Sequence, residues 1–331
     1  MAESAPPPHQ RRKKPDTRLV MISAALGALL ILVVSALLNW PTGGGGGGSN
    51  RFGANPAPPA VFDATAGTCL TWRSADASDI GKIGCERPHL FEVTGKADLA
   101  AQFPPNAPYP PTEQWQQLKM DHCTQVARNF LGGRFDPNGK FGVGAFTPSE
   151  ESWQRGDRTL FCGLQQPGPS GRLHPITGDA ARIDQSNTWP VGTCLGINGT
   201  EPWDPVDCAQ PHSLEITGLV NLAEQFPEGY PPVEEQDGFL ATRCEEITAE
   251  YAGSPTAARD KGLVVSWDTL AQESWDAGSR EVNCKVGATL PDGSGLAPVT
   301  GSVKGEVQVG TEPAPVDPTP PQPGAPATEP R

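Results

Sequence analysis

The chain has 331 residues and a net charge of −13, with 38 glycines and 37 prolines. That glycine and proline share is too high for a uniformly packed globule, so some segments are expected to be linker or tail. Five basic side chains (Arg11, Arg12, Lys13, Lys14, Arg18) face only Glu3 and Asp16 in residues 1–18, so the remainder is acidic, shows no broad basic patch, and is a poor nucleic-acid binder.

Residues 19–38 read LVMISAALGALLILVVSALL, without charge or proline. A helix of that length spans roughly 30 Å, the hydrocarbon thickness of a bilayer. The basic cluster precedes it directly, and only Arg51 follows closely. The positive-inside rule then places segment 1–18 in the cytoplasm, a transmembrane helix at 19–40, and the rest outside the cell. The apolar run exceeds the about 7–15 residues of a cleaved signal sequence, so a retained single-pass anchor is expected.

Residues 41–60 contain six consecutive glycines and then Asn55-Pro56-Ala57-Pro58-Pro59, a flexible linker. Two longer segments follow, 61–166 and 187–290, separated by a linker at 167–186. The stretch 291–331 is rich in proline and glycine and is expected to be a disordered tail.

The two segments are copies. Their cysteines are Cys69, Cys85, Cys123 and Cys162, then Cys194, Cys208, Cys244 and Cys284, at offsets of 125, 123, 121 and 122 residues. Gly67-Thr68-Cys69-Leu70 matches Gly192-Thr193-Cys194-Leu195. Pro88-His89 with Glu92, Thr94 and Gly95 matches Pro211-His212 with Glu215, Thr217 and Gly218. Gln102-Phe103-Pro104 and Tyr109-Pro110-Pro111 match Gln225-Phe226-Pro227 and Tyr230-Pro231-Pro232. Trp153, Gly156 and Arg158 match Trp275, Gly278 and Arg280. Two copies of about 100 residues indicate tandem domain duplication.

Within a copy, the GTCL run begins a short strand, and LFEVTG or LEITG alternates as a half-buried strand does. A proline-rich loop then leads to a helix. In copy one, Trp115, Leu118, Cys123, Val126 and Phe130 recur at helical spacing, with Thr112 as N-cap and Gly132-Gly133 as the stop. In copy two, Leu240, Cys244, Ile247 and Tyr251 do the same before Gly253. Two strand-like runs close each copy. The expected fold class is α+β: two tandem copies of a small disulfide-bonded domain, each one helix on an antiparallel sheet.

An even cysteine count outside the membrane reads as a disulfide framework. We favour first-to-second and third-to-fourth pairing in each copy: the first would close a strand–loop–strand segment, the second would tie helix to sheet. No C-x2–4-C knuckle is present and one histidine per copy is matched, so no metal and no cofactor are expected.

Several matched residues could carry chemistry. His89 and His212 could sense pH, but a brace for the preceding turn is the simpler reading. His122 faces Arg243 in the alignment, so no shared Cys–His nucleophile pair exists. Glu151 with Glu273, and Glu92 with Glu215, could act as paired carboxylates in glycoside hydrolysis. A glutamate on a strand face is ordinarily solvated, and no catalytic motif accompanies them. Trp153 and Trp275 are expected to pack in the core with Arg158 and Arg280 closing over them. The QFP and YPP loops offer Phe103, Tyr109, Phe226 and Tyr230 as candidate binding-loop residues, because proline fixes the backbone and lowers the entropic cost of contact.

The order Cys-x-x-Pro-His-x-x-Glu-[Val/Ile], then Tyr-Pro-Pro, a helical cysteine and Trp-x-x-Gly-x-Arg-x-x-x-Cys resembles the septum-formation domain of actinobacterial membrane proteins. The basic N-terminus, single anchor and Pro/Gly-rich tail are similar to a mycobacterial protein of that kind. The resemblance implies a part in septum formation during cell division and carries over no catalytic residue. The expected function is that of a non-enzymatic envelope protein with a duplicated binding domain, its partners being division or cell-wall proteins or peptidoglycan. The alternatives are a cell-wall hydrolase using the matched carboxylates and an extracytoplasmic ligand or stress sensor.

Overall fold

The computed structural model describes residues 59–317. The basic segment, the apolar span, the glycine linker as far as residue 58 and the tail from residue 318 lie outside the described residues. Within them, no helix is long and apolar enough to cross a membrane.

In chain order, repeat 1 contains α1 (Pro59–Phe62), β1 (Cys69–Thr71), β2 (Gly81–Ile83), β3 (Phe91–Asp98) and α2 (Thr112–Leu118). A π-helical turn (Lys119–Cys123), α3 (Thr124–Phe130), β4 (Gly142–Phe146), α4 (Glu150–Gln154), β5 (Thr159–Pro167) and β6 (Leu173–His174) complete it. Repeat 2 contains β7 (Cys194–Asn198), β8 (Glu201–Val206), β9 (His212–Asn221), α5 (Leu222–Gln225) and α6 (Val233–Ala252). It continues through α7 (Ala257–Asp260), β10 (Val264–Trp267), α8 (Gln272–Ala277), β11 (Glu281–Thr289), β12 (Leu296–Ala297), β13 (Val299–Gly301) and β14 (Val307–Val309).

The first sheet runs β2-β1-β3-β5-β4, with β6 beside β5. In repeat 2, β8-β7-β9-β11-β10 repeats that order, and β13 and β14 extend it beyond β9. All recorded pairings between strands are antiparallel. The molecule is therefore α+β with two antiparallel sheets.

Alternation along β5 sorts its side chains. Leu160, Cys162 and Leu164 pack in the cluster with the helix, and Phe161 faces the opposite cluster with Leu70 and Phe91. In repeat 1 Cys123 follows Leu118 at the fifth position, and the π turn brings both to the buried face. Repeat 2 buries Gln236, Leu240, Cys244 and Thr248 at intervals of four on one uninterrupted helix, which ends at Gly253 with φ +75°. Thr112 is the first residue of α2 and not its cap: Pro111 holds the N-cap position without a side-chain bond. Proline's fixed φ supplies the entry geometry that the sequence pattern assigned to a threonine hydroxyl.

The disulfides are Cys69–Cys85, Cys123–Cys162, Cys194–Cys208 and Cys244–Cys284. The helix bridges sit beside a β-bulge in both sheets, where Gly95 pairs with Cys162 and Gly218 with Cys284. A β-carbon at Gly95 would stand 2.9 Å from Val126 Cγ1, and one at Gly218 would stand 2.2 Å from Ile247 Cγ2. Glycine at the bulge lets the helix approach closely enough for its cysteine to reach the sheet.

Two segments depart from expectation. Residues 167–186 are not a mere linker, because Leu173, Ile176 and Ala180 are buried in repeat 1. Residues 291–317 are not disordered tail: they form β12–β14 and place Ala297, Val299 and Val303 in the core of repeat 2. The two segments do the same work. Ile176 exchanges backbone bonds with His89, and Val299 pairs with His212. Gly178 N donates to Cys85 O, and Gly301 N donates to Cys208 O. Each repeat thus extends further than its cysteines, and Pro175-Ile176-Thr177-Gly178 and Pro298-Val299-Thr300-Gly301 mark the closing strand.

Candidate functional site

The closing strand covers a buried His–Glu couple in each repeat. In the β1–β3 register Cys69 stands opposite Glu92, and in β7–β9 Cys194 stands opposite Glu215. Directly opposed residues on antiparallel strands share a face, so each glutamate lies beside an outer disulfide. The two sulfurs and a carboxylate oxygen lie within 4.8 Å of one another in both repeats. The sulfurs are bonded to each other and offer no thiolate to a metal.

Neither Glu92 nor Glu215 is solvated, contrary to the strand-face expectation; they are 0% and 2% exposed. Glu215 is fully served: Tyr251 Oη donates at 2.9 Å, Ser302 Oγ at 2.6 Å and Val303 N at 2.8 Å. Burial and the neighbouring Glu215 push the Tyr251 phenol well above its usual range. Glu92 receives only Ala180 N, at 2.8 Å on Oε2, and its Oε1 has no hydrogen-bond partner. Burial, reinforced by the like charge of Asp179, raises the Glu92 carboxyl to about 7.

His89 and His212 are braces. Each Nδ1 lies 2.9 Å from a carbonyl two residues earlier, of Arg87 and Gln210 respectively. Burial lowers the pKa of both imidazoles. His89 Nε2 stands 4.0 Å from Glu92 Oε2 and makes no hydrogen bond.

Trp153 and Trp275 are buried, with the guanidinium groups of Arg158 and Arg280 at 3.8 and 4.1 Å from the rings. Arg158 also donates to the carbonyls of Phe103, Pro104 and Pro105, which pins the QFP loop to the core. The four candidate binding-loop aromatics are half-buried. Phe103 and Tyr109 pack against Trp153, Phe226 packs on Phe239, and Tyr230 packs on Trp275. Tyr109 Oη donates to Pro148 O and Tyr230 Oη to Leu270 O. Prolines that restrict these loops turn their rings inward over the helix–sheet core. Glu151 is exposed and paired with Arg155 at 2.5 Å, and Glu273 is exposed. His122 is half-buried, 3.3 Å from Gln102 Oε1.

A polar seam joins the repeats. Buried Asp136 of repeat 1 accepts from Ser274 Oγ at 2.9 Å and Ser279 Oγ at 2.5 Å. Arg280 N donates to Asp184 Oδ2 and Glu281 N to Ser186 Oγ. Beside the seam lies an open groove of about 820 Å³, walled by Trp189, Pro190, Val191, Pro205 and the Cys194–Cys208 bridge. His174 also lines it; its Nε2 is 3.6 Å from Asp204 Oδ1, while Ser170 Oγ donates to Asp204 Oδ2. The serine bonds the carboxylate and not the imidazole, so these three side chains do not make a nucleophile–base pair.

Sequence reasoning missed the closing strands, the donors of Glu92 and Glu215, and the seam. The repeated Pro-[Ile/Val]-Thr-Gly was the available signal for the first.

A family model described as septum formation matches residues 66–284. Two curated relatives are each 41% identical over 268 residues: the uncharacterized membrane proteins Rv3835 and MT3943 of two Mycobacterium tuberculosis strains. The match covers 78% of this chain, and the chain spans 59% of the length of each relative. No solved structure matches. The matched region holds all eight cysteines, both His–Glu couples and the seam, and on that match the chain belongs to the septum-formation family.

Proposed function

We propose that the chain is a non-enzymatic, single-pass envelope protein that serves septum formation by binding other envelope components through its paired repeats. The family match over both repeats carries this reading. Its N-terminus lies in the cytoplasm and its repeats outside, a placement supported by the basic cluster ahead of the apolar span and by four disulfides. The relatives' designation as membrane proteins agrees with an anchor. The repeats are suited to recognition because disulfides and the seam hold them as a preordered body, which lowers the entropic cost of binding. Its partners are division proteins, cell-wall proteins or peptidoglycan.

A fluorescent fusion is expected at midcell during division, and a uniform peripheral signal overturns the septal reading. The hydrolase alternative predicts that Glu151→Gln with Glu273→Gln lowers peptidoglycan turnover. Unchanged turnover is expected instead, since both side chains are solvated.

A further inference from the structure

The two outer disulfides are near-twins in geometry and differ in one chemical respect. Cys123, Cys162, Cys244 and Cys284 are fully buried, whereas Cys85 and Cys208 are half-exposed. Only the outer bridges therefore present a sulfur to a thiolate in solution. Behind each stands the glutamate opposite its buried cysteine. In repeat 2 the carboxylate is occupied by Tyr251, Ser302 and Val303. Repeat 1 has Phe130 where repeat 2 has Tyr251, and Asp179 where repeat 2 has Ser302. Two donors are thereby lost and a second carboxylate is gained. The groups facing Glu92 are His89, whose charged form burial disfavours, and Asp179. A carboxyl in that setting keeps its proton near neutral pH, with Oε1 free of any other partner.

We propose that Cys69–Cys85 is an exchange-competent disulfide that passes its bond to an extracytoplasmic dithiol, with Glu92 as the proton donor to the leaving sulfur. A thiolate of the dithiol attacks Sγ of the half-exposed Cys85. The Cys69–Cys85 bond breaks, Cys69 leaves with the bonding pair, and the Glu92 carboxylic acid protonates it. The second thiolate of the dithiol then attacks its own sulfur in the mixed disulfide and releases Cys85, which is protonated from water. The dithiol has lost two electrons and two protons and become a disulfide; Cys69 and Cys85 have gained them, and Glu92 recovers its proton from solvent. The transfer is stoichiometric, one bond per chain, and does not depend on the septal reading. Cys194–Cys208 is the internal control, because Tyr251, Ser302 and Val303 already occupy both oxygens of Glu215.

The test uses the full chain in detergent, dithiothreitol at pH 7, alkylation at timed intervals, and mass spectrometry of each bridge. Cys69–Cys85 is expected to open at least about tenfold faster than Cys194–Cys208, well within what a positioned acid contributes. Equal rates, or the reverse order, overturn the proposal. Glu92→Gln is then compared with wild type at pH 5 with a water-soluble phosphine as reductant. At that pH both side chains are largely neutral, so a stability difference does not account for a rate difference. The substitution is expected to slow Cys69–Cys85 by about tenfold or more and leave Cys194–Cys208 unchanged. An unchanged Cys69–Cys85 rate overturns the role of Glu92.

Discussion

Replacing Glu92 by glutamine should change how stability depends on pH. In the unfolded chain the carboxyl ionises near 4.5; in the fold, burial and Asp179 raise it to about 7. Between those values the native state holds a proton that the unfolded chain has released, so the group's contribution to stability falls as pH rises. Below about pH 4.5 both states are protonated and the contribution is constant. Above about pH 7 both are ionised and the loss is complete. At about 1.4 kcal/mol per pKa unit the loss amounts to about 3 kcal/mol. Glutamine is neutral throughout, and its amide oxygen can still accept from Ala180 N. Urea unfolding of wild type and Glu92→Gln, with disulfides intact, should therefore give curves that differ little at pH 5. By pH 8 the variant should gain about 3 kcal/mol relative to wild type. Titrating groups that do not interact with Glu92 cancel in this double difference. A stability gap that is the same at both pH values would refute a buried, proton-holding Glu92.

Asp136→Ala should leave the hydroxyls of Ser274 and Ser279 without their buried acceptor, at a cost of about 2–4 kcal/mol; calorimetry should then resolve two transitions, and one unshifted transition would show that the seam does not couple the repeats. Deleting residues 291–331 should remove the closing strand of repeat 2 and the Ser302 and Val303 donors of Glu215, so that amide spectra of repeat 2 lose dispersion; unchanged dispersion would show that the strand is not needed to close the repeat. Arg158→Ala should cost about 3–5 kcal/mol, as a buried group with several partners does, and loosen the QFP loop. Its melting shift should exceed that of Arg280→Ala, because Arg158 serves three loop carbonyls besides its tryptophan.

The legible features were those written locally and twice. Cysteine order, the helical spacing around Cys123 and Cys244, and the alternation of LFEVTG and LEITG each concern residues close in sequence, and duplication doubled their signal. The orientation of the loop aromatics was not legible for a definite reason. Proline-fixed loops and exposed loops look alike in sequence, and only the carbonyl bonds from Arg158 and the rings of Trp153 and Trp275 show which way Phe103, Tyr109 and Tyr230 turn.

By itself the sequence determined that an α+β domain occurs twice, carries disulfides and presents its third cysteine on the buried side of a helix. Periodicity and spacing suffice for that, because helix and strand geometry repeat every few residues. Only the tertiary structure decided that Glu92 and Glu215 are buried, since the backbone donors that cover them, Ala180 and Val303, each lie 88 residues further along the chain. It also decided that one carboxyl is saturated with donors and the other is not. That difference rests on Tyr251 against Phe130 and Ser302 against Asp179, ordinary substitutions until the closing strand brings them together over the outer disulfide.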